Sequence, residues 1–418
     1  MDVLRFVKKC VYFPFRLFNR LYLDSRASFY LKRNSKHLHK NQSKTIKVGF
    51  VVQVPQLWDK QSSVYSAMCR DKTFDPYLVI VPFYDIVNNE IDKYGEELDF
   101  FINRCQNGKY LLAKDGDVWV DIEKFDFDYL FYQRPYDLYM PRILKSSTTV
   151  KYTKICYIPY ATPEVKNTVA YPRDFFRNLF CGFMENKDGA EKNIAKFRKN
   201  CNRNIQHFLN IGYPVFEECI KHREECKYKN FLWAPRWSYD PVIGGSHFME
   251  YYSQLTNFEW NDANFIVRPH PLMWDNFLKT EIIDKTGIKN ILTEWDRQHI
   301  KIDKNESIYE TFSQIDVLIS DISSVIPMFF LTGKPIIYCP KYKDFCGYSS
   351  LFSSVLPGVY IANNWKELED CIKMLMAQKD VLADVREQIA EYQFAYNNSA
   401  TENIIKTIKS NFVNIPFL

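Results

Sequence analysis

The sequence contains none of the glycine-rich loops that mark the common nucleotide and hydrolase chemistries: GxxxxGK[ST], GxGxxG and GxSxG are all absent. Their absence counts against ATP hydrolysis, nicotinamide chemistry and serine hydrolysis. There is no CxxC pair and no Cys/His cluster at zinc spacing, although eleven cysteines are scattered along the chain. An odd number of thiols, several inside apolar runs such as Lys154-Ile-Cys-Tyr-Ile158, reads as reduced, mostly buried side chains in a reducing compartment. A signal-peptide cleavage pattern and an uncharged run of about 18 residues are also missing. The expectation is a cytoplasmic chain that does not span a bilayer.

What is present is ordinary in balance and unusual in distribution. At 418 residues the chain exceeds one hydrophobic core and suits two domains. Apolar residues at 46% and charged residues at 25% argue against disorder. The aromatic content, with 33 Phe and 28 Tyr, fits either large cores or pocket walls. Net charge is +5, yet residues 1–47 hold twelve Lys or Arg against Asp2 and Asp24 alone. That arm therefore carries +10 and the remainder −5.

Wound as a helix, residues 2–23 gather Arg5, Lys8, Lys9, Arg16, Asn19 and Arg20 within an arc of about 120°. Val3, Leu4, Phe6, Phe13, Phe15, Phe18 and Leu21 share the other side, and Pro14 is expected to kink or divide the helix. An aromatic face opposite a cationic one suits the headgroup region of an anionic leaflet; an amphipathic helix packed on the protein body is the other reading. Nucleic acid is not expected as a partner, because no basic groove continues beyond the arm. His37 and His39 form an HxH pair in a lysine-rich linker and read as solvated.

From Lys47 onward, short apolar strands alternate with helices. Val48–Val54, Tyr77–Val81, Asp128–Tyr132, Lys154–Ile158 and Asn178–Phe183 read as strands, with a helix over Ser62–Arg70. The pattern restarts after Gly212-Tyr-Pro214, with strands at Phe231–Ala234, Phe265–Val267, Asp316–Ile319, Pro335–Tyr338 and Val359–Ile361. Such alternation predicts two α/β, Rossmann-like domains with mostly parallel sheets, facing across a cleft. The expected boundaries are an arm over 1–46, an acceptor domain over 47–210, a nucleotide-donor domain over 211–395, and a closing helix over 396–418 that packs back.

Four segments could carry chemistry. Val317-Leu-Ile-Ser-Asp-Ile-Ser-Ser-Val325 ends a buried strand with Ser320 and Asp321 and opens a helix with Ser323 and Ser324. Those residues suit either simple N-capping or a phosphate held at a helix start. In Val267-Arg-Pro-His-Pro271 two prolines brace His270 beside Arg268, pairing a proton-active ring with a phosphate-matching guanidinium. Trp233-Ala-Pro-Arg-Trp-Ser238, leading to Gly244-Gly-Ser246, offers Arg236 and aromatics for a base or ribose pocket, or a packed strand exit. Tyr157-Ile-Pro-Tyr-Ala-Thr-Pro163 carries Tyr160 and Thr162, with Arg134 nearby. Asp115-Gly-Asp117 and Asp126-Phe-Asp128 imitate metal-binding DxD motifs from positions in a turn and before a strand, and no metal or cofactor is expected.

Gly212-Tyr-Pro214, Trp233-Ala-Pro235 with Trp237, Arg268-Pro-His-Pro271, and Ser320-Asp-Ile-Ser-Ser-Val325 followed by Gly333-Lys-Pro335 resemble, in order and spacing, the CDP-glycerol:poly(glycerophosphate) glycerophosphotransferase family of teichoic-acid and capsule enzymes. The resemblance covers roughly residues 47–395. It implies a GT-B fold, peripheral attachment to the inner face of the cell membrane, and transfer of a phosphopolyol from a CDP-activated donor to a lipid-linked or capsular glycan acceptor, with CMP leaving. By the same resemblance His270 acts at the reacting phosphate, while Arg236, Arg268, Ser320, Asp321, Ser323 and Ser324 hold the donor. Tyr160, Arg134 and Thr162 fall on the acceptor side.

Two departures stand out. The family's Trp-His-Gly-Thr-Pro, whose histidine resembles a general base, is here Pro159-Tyr-Ala-Thr-Pro163. A phenol with a pKa near 10 is a poor base at neutral pH, so another residue takes the proton, Tyr160 only orients the acceptor, or the reaction differs. The Thr and Arg flanking the family's second-motif Trp are replaced by Arg236 and Ser238. A GT-B glycosyltransferase using a nucleotide sugar, and a catalytically silent partner in polysaccharide assembly, stand as alternatives.

Overall fold

The computed structural model describes residues 2–36, 45–83, 91, 93–162, 165, 171–305, 307–342 and 347–410, with residues 2–16 as helical backbone alone. His37 and His39 lie outside the described residues, as do the side chains of Arg5, Lys8, Lys9 and Arg16. Two compact units divide the chain: Met1–Tyr160 with Tyr171–Pro214 and Ala400–Leu418, and Ala161–Ala170 with Val215–Ser399.

In the first unit the strands are β1 (Ile46–Val52), β2 (Phe74–Ile80), β3 (Tyr110–Leu112), a separate hairpin of β4 (Lys114–Asp115) and β5 (Val118–Trp119), then β6 (Tyr129–Tyr132), β7 (Lys154–Tyr157), β8 (Cys181–Phe183) and β9 (His207–Leu209). Seven of them form one sheet in the order β3-β2-β1-β6-β7-β8-β9, with every pairing parallel. Strands buried on both faces need continuous apolar runs, and β6 and β7 are buried at every position.

The second unit repeats the scheme with β10 (Asn230–Ala234), β11 (Asn264–Val267), β12 (Lys301–Ile302), β13 (Val317–Ser320), β14 (Ile336–Tyr338) and β15 (Tyr360–Ile361). Their order is β12-β11-β10-β13-β14-β15, again all parallel. The expected GT-B-like pair of Rossmann-like sheets, preceded by a helix, is therefore what the chain forms.

That amino-terminal helix, α1 (Asp2–Ser35), runs on through Pro14 and twelve residues past the expected end. Pro14 does not divide it: one lost N–H bond, worth about 3 kcal/mol, is carried by a helix of 34 residues. The extension is explained by its contacts. Asp24 meets Arg173 at 2.5 Å and Arg177 at 3.3 Å, Ser28 donates to Asn200 at 2.9 Å, and Asn34 donates to the Val150 and Thr153 carbonyls. Ala27 and Leu31 are buried, so from Asp24 onward the helix belongs to the body of the first unit. Before that point Leu17, Phe18, Leu21 and Tyr22 are exposed. Among the described residues no helix is long and apolar enough to cross a membrane.

The helix Ala400–Lys409 also belongs to the first unit. It lies on α2 (Ser62–Arg70), where Thr401 donates to Ser63 at 3.1 Å and Lys409 pairs with Asp71 beyond the end of α2.

Candidate active site

In a parallel sheet whose connections turn in opposite directions from a central pair, a crevice opens at the carboxyl ends of that pair. In the second unit the pair is β10 and β13, held in register by Ala234 opposite Ser320. The segments leaving this rim are Pro235–Ser238 after β10, Arg268–Pro271 after β11 and Asp321–Ser324 after β13. One edge of one sheet thus gathers His270, Arg236, Arg268, Ser320, Asp321, Ser323 and Ser324, the residues that the sequence motifs assign to the donor side and the reacting phosphate.

Their surroundings divide them into two groups. Ser320 is fully buried and its hydroxyl donates to the Ala234 carbonyl at 2.7 Å. Asp321, 1% exposed, accepts from the Arg236 N–H at 2.9 Å, the Ser246 hydroxyl at 3.1 Å and the His247 N–H at 3.1 Å, and His247 Nδ1 lies 3.1 Å from its Oδ1. Both carboxylate oxygens are therefore engaged by the loop that follows β10. That loop closes down through two glycines. Gly244 and Gly245 have φ of +98° and +66°, and a Cβ on Gly244 would stand 2.5 Å from Ile322 Cγ2. The Arg236 guanidinium, buried, donates to the Ile322 carbonyl. Trp233 packs against Phe248 with rings 5.2 Å apart, which settles the packed strand exit for that tryptophan. Ser323 and Ser324 are only half-buried. Ser323 accepts from the Val325 N–H at 3.3 Å, and Ser324, at the N-cap of the short helix Val325–Phe330, makes no capping bond with its side chain.

Arg268 is tied at one nitrogen to Asp303, the Asn305 carbonyl and Thr311, with Asp303 itself buried and accepting from Thr311 at 2.6 Å. Beside it, His270 Nδ1 accepts the Leu272 N–H at 3.1 Å, so a neutral ring carries its proton on Nε2. The ring sits 6.1 Å from Trp237. Solvent reaches His270, yet it lies in a recess of the protein. Loss of bulk water, then the Arg236 and Arg268 charges, pull its pKa down to about 4. At neutral pH it is an uncharged hydrogen-bond donor, not an acid.

The first unit has its own switch, between β1 and β6. It is closed by two glutamines, Gln53 just past β1 and Gln133 in the segment Tyr132-Gln-Arg-Pro-Tyr136 that also carries Arg134. Gln133 Oε1 accepts from the N–H groups of Gln53 and Val54, at 2.9 and 2.7 Å, while Gln53 donates to the Pro82 and Tyr139 carbonyls. Arg134 donates to Gln53 and lies over the Tyr139 ring at 4.7 Å. Tyr160, three residues past β7, shares a 2.9 Å hydrogen bond with Tyr136. Burial, reinforced by that bond, raises its pKa well above the usual phenol value, so it is a poorer base than an exposed tyrosine. Thr162 is buried in the segment 161–170, which groups with the second unit.

Two hollows of the second unit lie at the opposite, amino edge of its sheet. One of about 700 Å³ is lined by Lys227, Lys229, Phe258 and Trp365, and one of about 900 Å³ by Asn264, Gln298 and Lys301. Neither contains a residue of the rim described above, and volume without converging polar groups is weak ground for a site. Asp117 lies in the turn of the β4–β5 hairpin, and among the described residues no three His, Cys, Asp or Glu side chains converge to hold a metal. The sequence motifs do not point to Gln53, His247 or Asp303.

Comparison with known proteins adds to this geometry. The model of the family CDP-Glycerol:Poly(glycerophosphate) glycerophosphotransferase matches residues 197–410. No curated protein matches the sequence. Solved structures share the fold at low identity. The wall teichoic acid polymerase TagF is 15% identical with a TM-score of 0.53, covering 98% of this chain and 96% of that one. A putative UDP-N-acetylglucosamine 2-epimerase from Listeria monocytogenes is 11% identical, TM-score 0.54, over 89% of this chain and 98% of that one. The UDP-GlcNAc 2-epimerase of Neisseria meningitidis, bound to UDP-GlcNAc, is 11% identical, TM-score 0.56, over 87% and 100%.

Proposed function

The chain belongs to the CDP-Glycerol:Poly(glycerophosphate) glycerophosphotransferase family, and from that premise we propose that it transfers glycerol phosphate, or a related phosphopolyol, from a CDP-activated donor to a hydroxyl of a teichoic-acid or capsular polymer. The observation that carries this reading is the shared rim: the His270 loop and the Ser323–Ser324 loop leave the same sheet edge, on the two sides of the β10–β13 switch.

Donor binding and chemistry divide along the two groups of residues. Ser320 and Asp321 fix the loops, with Asp321 holding the Arg236–His247 segment in place. Ser323, Ser324 and the N–H groups behind them take phosphate oxygens, and Arg236 and Arg268 keep the potential positive. The acceptor oxygen bonds to the β-phosphorus as the bond to the bridging oxygen breaks and CMP departs. His270 donates its Nε2–H to a phosphoryl oxygen as charge gathers there, which is electrostatic stabilisation by a fixed donor. Arg134, Tyr160 and Thr162 serve the acceptor, Tyr160 by orienting a hydroxyl and not by taking its proton.

The test is turnover with a panel of CDP-, UDP- and CMP-activated donors, reading the nucleotide released. CMP from a CDP-polyol, with phosphate in the product, is expected. Release of UDP or UMP from a nucleotide sugar would support the glycosyltransferase instead, and binding without turnover would leave a silent partner.

The same proposal seats the protein peripherally on the inner face of the membrane through α1. Residues 2–16 bring four cations, and at about 1 kcal/mol each near an anionic surface their removal weakens binding on the order of 10²–10³-fold. A cut before Asp24 is required, since the later half of α1 is part of the body. The truncated chain is expected to leave phosphatidylserine vesicles, and the full chain to leave them at high salt. Equal binding by both would remove the arm from the account.

A further inference from the structure

The two hollows at the amino edge of the second sheet contain none of the rim's residues, and their volume alone marks nothing. The side chains that line them do. Phe258, Asn261 and Ala263 belong to both walls, so the hollows are two parts of one groove. A row of half-buried rings runs along it. Trp365 lies 6.5 Å from Phe258, and Phe258 lies 4.9 Å from Trp260, centroid to centroid. Beside the rings stand side-chain amides. Those of Gln254, Asn261 and Gln378 are exposed and make no hydrogen bond among the described residues, while Asn264 donates to Asn230 at 2.9 Å.

Part of the wall is held in a conformation that its residue rarely takes. Tyr228 has a φ of +54°, in the left-handed region that a bulky side chain avoids. The buried Asp316 carboxylate accepts from the N–H groups of Lys227, Lys229 and Asn230, at 3.0, 3.0 and 2.9 Å, and pins the turn on both sides of that tyrosine. Strain kept by an over-determined turn is characteristic of places that clamp a ligand. Charge among the lining residues is nearly balanced, four lysines against Glu259, Asp262 and Glu369. A polyanion would meet three carboxylates here. An uncharged sugar chain meets rings for its apolar faces, and amides that both donate and accept for its hydroxyls.

We propose that this groove binds an uncharged sugar segment of the glycan that carries the acceptor hydroxyl. For the identity of that chain the inference rests on the transferase reading above. The groove and the donor rim lie at opposite edges of the same sheet. β10 is five residues long, and at about 3.3 Å per residue the two edges stand about 16 Å apart. The groove therefore grips the glycan away from its reacting end and takes no part in the chemistry. It gives the enzyme a preference for chains long enough to fill it.

The test is calorimetric titration of the full chain with neutral hexasaccharides of glucose, galactose and N-acetylglucosamine, and with a glycerol-phosphate hexamer. At least one neutral hexasaccharide is expected to bind, and the polyanion is not expected to displace it. Trp365→Ala removes the end ring of the row. Asn261→Gly removes an exposed amide and leaves a residue at ease with a φ of +47°, so this variant folds even where the first does not. Each is expected to weaken binding about 10-fold, the size of one lost ring contact or hydrogen bond. Binding of none of the three sugars overturns the groove, as does binding that both variants leave unchanged or tighter binding of the glycerol-phosphate hexamer. Turnover of CDP-polyols by the same preparation separates the two readings. A chain that binds sugar and turns over no CDP-polyol keeps the groove and loses the transferase.

Discussion

Replacing His270 by Ala lowers turnover by about 10²–10³-fold and leaves the melting temperature where it was. The rate loss follows from geometry. Proline on either side stiffens the loop, the Leu272 N–H occupies Nδ1, and the remaining N–H is fixed in advance of substrate. A donor held ready in this way needs no reorganisation when charge develops, and removing one such donor carries a penalty of this size. The unchanged stability follows from exposure: solvent reaches the residue, and its one described hydrogen bond is to a backbone N–H two residues away. The ring is already neutral above a pKa of about 4, so the loss should be constant from about pH 6 to 9. Steady-state turnover paired with a thermal melt checks both halves, and a near-parental rate would exclude His270 from the chemistry.

Asp321→Ala behaves in the opposite way, losing activity because the structure around it fails. Removing this carboxylate strands two backbone N–H groups and the Ser246 hydroxyl in a buried place, each at about 1–3 kcal/mol, alongside His247 Nδ1. A total of about 3–5 kcal/mol is expected, the range for breaking a buried network of this kind. Denaturant unfolding should show it as a lower midpoint. Donor affinity should fall together with stability, since the loop from Arg236 to His247 loses its anchor. An Asp321→Ala protein as stable as its parent would contradict the clamp.

These two residues show how far the amino-acid sequence can be read. Both stand at the ends of apolar runs in segments whose order is specific, so their place on a strand rim is legible from the residues alone. The division between them is not. Nothing in Ser320-Asp-Ile-Ser-Ser324 says that the first two side chains turn inward to the β10 loop while the last two stay half-open. That depends on Gly244 and Gly245 bringing a distant loop onto Ile322. The central strands are readable because burial on both faces demands unbroken Val, Ile, Leu and Phe, whereas β3, β9 and β12 are short and lie at sheet edges. The end of α1 escapes sequence reading for a related reason. Asp24, Ser28 and Asn34 are ordinary polar residues until Arg173, Asn200 and Val150 come to meet them from more than a hundred residues away.

The most direct test is a crystal structure of the chain soaked with CDP-glycerol. The account places the diphosphate at the carboxyl rim of the second sheet, with a phosphoryl oxygen about 3 Å from His270 Nε2 and others on Ser323 and Ser324. A donor seated instead in the hollow beside Lys229 and Trp365, at the amino edge of that sheet, would contradict it.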